Sequence, residues 1–137
     1  MNRSAAYYLK LYGITLAVFV AVDLVWLVLV AREFYRDQLG FLIAPEPNLA
    51  AVLAFYLVFV GGMLVFVVVP GLNADGWRAT AGRAALFGLV TYATYDLTNM
   101  ATVRDWPLPV TVVDLAWGVG VNVAAGLAAL AAGRRIG

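Results

Sequence analysis

The sequence predicts an all-α membrane protein: one domain, residues 1–137, folded as an up-and-down bundle of four transmembrane helices. Apolar residues make up 64% of the chain and charged residues 12%, against about 45–50% and 25% in soluble domains. The apolar residues are gathered into four runs, 11–31, 49–69, 80–103 and 108–132, each long enough to cross a bilayer. Short connections after the second and third runs favour antiparallel neighbours.

The first span is interpreted as a retained helix rather than a cleaved signal peptide, because its run is long and contains Asp23. The mixed segment 32–48 follows, and prolines 45 and 47 end it. Two interpretations stay open for this segment: a short amphipathic helix at the bilayer surface, or a continuation of the first span into water.

Glycine and proline mark the second run and its end. Gly61 and Gly62 indicate a close approach of another helix or a bend. Pro70 with Gly71 predicts the end of the helix, and residues 73–76 have the composition of a turn.

The fourth run carries small residues at intervals of four, which let helices approach closely in lipid. Packing inside the bundle is the preferred interpretation of this stripe, and homodimerisation is the alternative. The stripe consists of Gly120, Ala124, Ala128 and Ala132.

Lysine and arginine are unevenly distributed between the two sides of this topology. The positive-inside rule therefore predicts that both termini are cytoplasmic. The richer side holds Arg3, Lys10, Arg78, Arg83, Arg134 and Arg135, and the other side holds Arg32, Arg36 and Arg104.

The chain has no cysteine and no histidine, which excludes disulfides, thiolate chemistry, His-ligated haem and the common zinc sites. Its nine basic residues form no cluster, so there is no footprint for nucleic acid. We therefore expect no cofactor, no metal site and no nucleic-acid partner, and the carboxylates leave only the binding of a hard cation open.

Three aspartates interrupt the apolar runs at similar depth. At a rise of about 1.5 Å per residue, Asp23, Asp96 and Asp114 lie about 13, 12 and 10 Å from the ends of their runs. In the predicted topology those ends share one side of the membrane, so all three converge on one layer of the outer leaflet. Charged groups at such depth are costly and usually face a bundle interior or a cavity.

Polar and aromatic neighbours extend this layer into a candidate pocket. No lysine, arginine or histidine lies deep in a run. The expected partners of the acids are Arg32 and Arg104 reaching inward from the rim, or else indole N–H groups, tyrosine hydroxyls and asparagine amides. The bland alternative is that these groups only hydrogen-bond the helices together, and the tryptophans taken alone suit packing or an interface. The candidates for binding a ligand or a proton are Asp23, Trp26, Tyr92, Tyr95, Asp96, Asn99, Asp114, Trp117 and Asn122.

Several of these residues fall in motifs that resemble a known family. The motifs are Asp23-Leu24-Val25-Trp26, the stretch 95–102, Trp106-Pro107 and Asp114-Leu115-Ala116-Trp117-Gly118. They are similar to those of the four-span bacterial membrane-protein family named domain of unknown function 2177. The resemblance covers nearly the whole chain and implies a small protein of the bacterial inner membrane with four spans. It supplies no activity, substrate or catalytic residue.

The preferred function is a binding protein whose outer-leaflet pocket holds a membrane lipid or a small amphipathic ligand. A proton- or ion-coupled small transporter is one alternative, and an accessory subunit that binds another membrane protein is a second. A lipid-modifying enzyme ranks last among the active roles, because no histidine, cysteine or recognisable nucleophile motif is present. We therefore assign no catalytic residue.

Overall fold

The structure is a computed structural model that describes residues 2–73 and 76–137. Within these residues there are five helices and no strand, which confirms the all-helical prediction. The helices are α1 (Ala5–Val30), α2 (Arg32–Leu39), α3 (Leu49–Asn73), α4 (Trp77–Thr102) and α5 (Leu108–Ile136). Ser4 and Asn48 cap α1 and α3, each accepting a hydrogen bond from a backbone amide three residues later.

Three of these helices, α1, α3 and α5, are long and apolar enough to cross a membrane. Large apolar side chains such as Leu29, Val58 and Val112 are exposed on their outer faces, as expected for surfaces that meet lipid. Helix α4 has 26 residues and is long enough to span, but its polar side chains lower its hydropathy. The described chain therefore shows three candidate spans where four are predicted.

The end of α3 differs from the prediction. The helix does not stop at Pro70 and Gly71 but continues to Asn73. A π-helical turn over Leu64–Val68 comes just before the proline, and this wider turn makes room for a ring that would otherwise crowd the preceding carbonyls. The predicted turn at 73–76 includes residues 74 and 75, which lie outside the described residues.

The short segment after α1 forms a separate helix, so the continuation of the first span into water is wrong. Ala31 breaks α1 with φ −106° and ψ 1°, and α2 begins at the next residue. The following residues 41–48 are exposed and irregular. Tyr35 on α2 is half-buried against the ends of α1 and α5, so this helix folds back over the bundle.

Helices α4 and α5 come into close contact at two glycines. A Cβ at Gly88 would overlap the carbonyl oxygen of Gly118, so the two backbones touch. Gly62 on α3 likewise lies close to Phe87, with 3.2 Å between its would-be Cβ and the ring. Gly62 thus meets the side chain of Phe87, whereas a Cβ at Gly61 would meet nothing within 4 Å.

The stripe of small residues predicted to pack inside the bundle instead faces outward, so that preference is wrong. Gly120, Ala124 and Ala128 are exposed and Ala132 is only half-buried. A neighbouring stripe, Gly118, Asn122 and Gly126, faces α4 and is fully buried. Both stripes repeat every four residues. Helix α4 packs against the stripe whose glycines contact its own small residues, Gly88 and Ala84.

Two apolar clusters fill the interior. One lies toward the chain termini and contains Leu11, Val67 and Ala129. The other contains Phe19, Phe59 and Val121. The second cluster lies between the first cluster and the three aspartates.

Candidate functional site

The three aspartates point inward and lie close together, while their depth in a membrane stays a prediction. Asp23, Asp96 and Asp114 are exposed by only 5%, 0% and 9%. Asp96 lies beside Asp114, and Asp23 and Asp114 line the same cavity. The acids come from α1, α4 and α5, the three helices expected to supply them.

Asp23 occupies the last full α-helical turn of α1. Beyond it the helix widens into a π-helical turn, Val25–Val30, which ends where the Ala31 amide donates to the Trp26 carbonyl at 2.7 Å. Tyr56 on α3 donates its hydroxyl to Asp23 Oδ2 at 2.5 Å, and Trp117 Nε1 on α5 donates to Oδ1 at 3.1 Å. Both carboxylate oxygens are therefore satisfied by other helices.

Asp114 is hydrogen-bonded by a residue of α2. The Tyr35 hydroxyl donates to Asp114 Oδ1 and accepts a hydrogen bond from Trp26 Nε1 at 3.2 Å. Burial raises the pKa of the Tyr35 hydroxyl, and the hydrogen bond to Asp114 raises it further. The phenol therefore keeps its proton at neutral pH and acts as a permanent donor to this acid.

The tryptophan of each Asp-x-x-Trp motif is linked to the aspartate of the other motif. Trp117, three residues after Asp114, binds Asp23, and Trp26, three residues after Asp23, reaches Asp114 through Tyr35. The two indole rings stack with centroids 4.4 Å apart and planes 8° from parallel. The motifs thus cross-connect α1 and α5.

Asp96 is different, because neither of its oxygens has a hydrogen-bond partner among the described residues. Asp114 and Thr111 are its polar neighbours, and the Thr111 hydroxyl accepts from Trp106 Nε1 at 3.0 Å. The charged groups around the two acids in the described chain include no lysine or arginine. Two adjacent carboxylates repel each other when both are ionised.

A cavity of about 540 Å³ opens in front of these acids. Aromatic rings dominate its walls, with Trp26, Trp117, Phe55 and Phe59 among them. This volume is within the range of small-molecule sites, which combine apolar walls with a few placed polar groups. Its polar lining consists of Asp23, Asp114, Tyr35, Tyr92, Tyr95 and Thr91.

A family model described as "Predicted membrane protein (DUF2177)" matches residues 8–131. The chain belongs to the DUF2177 family. The matched region contains all three aspartates and both stacked tryptophans, and the resemblance inferred from the motifs is confirmed. No curated protein and no solved structure matches the chain.

The remaining predicted residues of this DUF2177 protein fall in different places. Tyr92 lines the cavity and packs on Gly118, whereas Tyr95 lines its edge, is 59% exposed and meets Trp106 edge-on. Asn99 is half-buried and does not line the cavity. Asn122 is fully buried below it, where Nδ2 donates to the Gly118 carbonyl at 2.7 Å.

The threonines of α4 are mostly used by the helix itself. Thr94, Thr98 and Thr102 donate to carbonyls four residues earlier on the same helix, a common arrangement for hydroxyls in apolar surroundings. Only Thr91 of this series lines the cavity. The polar character of α4 therefore overstates the number of side chains that reach the site.

Sequence reasoning missed two tyrosines of the DUF2177 site, Tyr35 and Tyr56. Each donates a hydrogen bond to an aspartate, as expected of tyrosine hydroxyls in general, but neither was assigned to the site. Tyr56 had a usable signal, since it is the one polar side chain in the run 49–69. The expected indole partner is present at Trp117, whereas no asparagine amide binds the acids in the described residues.

Proposed function

We propose that this protein binds a membrane lipid or another small amphipathic molecule, with the polar head in the cavity between Asp23 and Asp114. The cavity of about 540 Å³, with acids at its base and aromatic walls, carries this proposal. The edge of the cavity offers a path for an apolar tail. Leu27, Phe55 and Tyr95 line the cavity and are 40%, 45% and 59% exposed. A chain leaving the cavity there would enter the surface that faces lipid.

The proposal also takes α4 to be a fourth membrane-spanning helix. At about 1.5 Å per residue, a helix of its length extends about 39 Å, more than the hydrocarbon core of about 30 Å. Its polar side chains are largely turned inward or bonded to its own carbonyls, which lowers the cost of burial in lipid. In the bacterial inner membrane with cytoplasmic termini, the cavity would lie in the outer leaflet.

Native mass spectrometry of the protein purified in a mild detergent tests this function. We expect an amphipathic molecule to co-purify with the wild-type protein and to be lost from Asp114→Asn, which removes charge from the cavity wall. Asp105→Asn is the matched control, because it changes the same group on the exposed connection before α5. Asn is also tolerated at the positive φ of 59° found there.

Three outcomes are distinguishable in that experiment. Loss of the molecule from Asp114→Asn alone supports the proposal. Equal retention by all three proteins, or no bound molecule in the wild type, contradicts it. A stoichiometric protein partner in place of an amphipathic molecule supports the accessory-subunit alternative.

A further inference from the structure

The cavity presents hydrogen-bond acceptors and negative charge. Among the described residues its lining contains two aspartates and no lysine or arginine. The phenols of Tyr35, Tyr92 and Tyr95 add oxygen atoms but no positive charge. An anionic head such as a free phosphate would meet two acids and no cation there, so the charge of the walls disfavours it.

The acids differ in how far the protein itself satisfies them. Asp23 has a donor on each oxygen, from Tyr56 and from Trp117. Asp114 receives Tyr35 on one oxygen, and Asp96 beside it is fully buried with both oxygens unpartnered. A buried polar group without a partner is unfavourable, and the acceptors without partners lie on the α4–α5 side of the site.

Aromatic rings surround the same space. Trp26, Tyr35, Tyr92 and Trp117 line the cavity beside the acids, with Phe59 beneath them. The faces of aromatic rings carry negative potential and attract ammonium groups, most strongly when water is excluded. Carboxylates with an aromatic surround are the chemistry that recognises an organic cation.

We propose that the head of the bound molecule is an organic ammonium, held by the Asp114 side of the cavity and its ring faces, with an apolar chain leaving past Leu27 and Phe55. This inference rests on the proposed binding function and names its ligand class. An ammonium with N–H groups brings both the donors and the charge that the acid pair lacks. It docks against Asp114, and its charge also compensates Asp96 behind it.

Three probes with the same ten-carbon chain test the charge of the head: decylammonium, decanol and decyl sulfate. Each is titrated into the protein in uncharged maltoside micelles while tryptophan fluorescence is recorded, with protein-free micelles and free tryptophan as blanks. Trp26 and Trp117 line the cavity and report its occupancy. We expect a saturable response to decylammonium at a concentration at least tenfold lower than for either other probe.

Variants locate the response. Asp114→Asn is expected to weaken decylammonium binding at least tenfold, and the exposed control Asp105→Asn is expected to leave it unchanged. If Asp114→Asn does not fold, the comparison of the three probes on the wild-type protein decides the matter alone.

The failures are separable. A saturable response to decanol or decyl sulfate at equal or lower concentration overturns the ammonium assignment but leaves the binding function standing. No saturable response to decylammonium also overturns the assignment. The binding function itself is judged by co-purification, so both proposals fail when no probe responds and no amphipathic molecule co-purifies.

Discussion

At the scale of single residues, Asp23 connects three helices. It stands on α1 and takes its two donors from Tyr56 on α3 and Trp117 on α5. A buried acceptor that loses one of its donors retains its desolvation cost, so each donor matters more than an average hydrogen bond. The stability of the site is therefore shared among residues that the sequence places far apart.

Replacing Tyr56 with Phe removes one of these donors and little volume. We expect Tyr56→Phe to lower the free energy of unfolding by about 1–3 kcal/mol, because Asp23 Oδ2 loses its partner in a buried site. Tyr12→Phe is the control, since the Tyr12 hydroxyl donates to the Leu57 carbonyl at 2.7 Å in a more exposed position. That change should cost about 0.6 kcal/mol.

Denaturant titration in mixed micelles, followed by circular dichroism, measures both variants. Equal losses for the two would mean that Asp23 gains nothing particular from Tyr56.

The sequence located the acids of the site better than their partners. Asp23, Asp96 and Asp114 could be placed because each is close to a marked end of its run, and depth follows from helix rise. Tyr35 could not be placed, because its contact with Asp114 depends on the backbone break at Ala31 that folds α2 back. Such a break is set by tertiary packing and leaves no periodic pattern.

At the scale of the helix, the crossing of α4 and α5 positions Asp96 beside Asp114. The two helices touch at Gly88 and Gly118, about two turns from Asp96 and one turn from Asp114. Without side chains at the crossing point, the backbones come close enough for the acid side chains to meet. The small residues thus set the geometry of the site although they do not line the cavity.

Gly88→Ala tests this crossing. Its Cβ would overlap the Gly118 carbonyl, and we expect a loss of about 1–3 kcal/mol or more in unfolding free energy from forced separation of the helices. Gly82→Ala on the same helix is the control, because a Cβ there meets nothing within 4 Å. Alanine suits a helix better than glycine by about 0.5–1 kcal/mol, so this variant should be neutral or slightly more stable.

Thermal unfolding of the two variants in the same detergent gives the comparison. A Gly88→Ala protein as stable as Gly82→Ala would show that the helices can separate there without cost.

The helix boundaries and the stripe on α5 show what could not be predicted from the sequence at this scale. Spacing of four identifies candidate packing faces, but only the shape of the neighbouring helix decides which face is used.

At the scale of the whole molecule, the number of membrane crossings determines where the cavity opens. Composition and long apolar runs were enough to predict an all-helical membrane protein. They were less decisive for α4, whose inward polar groups resemble those of a soluble helix when only averages are considered. Four crossings place both termini on one side, whereas three crossings place them on opposite sides.

Cysteine accessibility decides between these topologies, and the chain has no cysteine of its own. With four crossings, a membrane-impermeant maleimide should label Asp37→Cys and Arg104→Cys from the periplasm. Ala79→Cys and Ile136→Cys should react only after the membrane is permeabilised. If α4 does not cross, the pattern reverses for Arg104→Cys and Ile136→Cys, and the cavity can no longer belong to the outer leaflet.

The two Asp-x-x-Trp motifs are bonded to each other, so the contacts of both motifs depend on the same alignment of α1 and α5. Turning either helix by one residue, about 100°, would swing its acid and its indole away together, and both bonding arrangements would be lost in one step. Intermediate alignments therefore have little to stabilise them. We therefore expect the α1–α5 contacts of the site to form together.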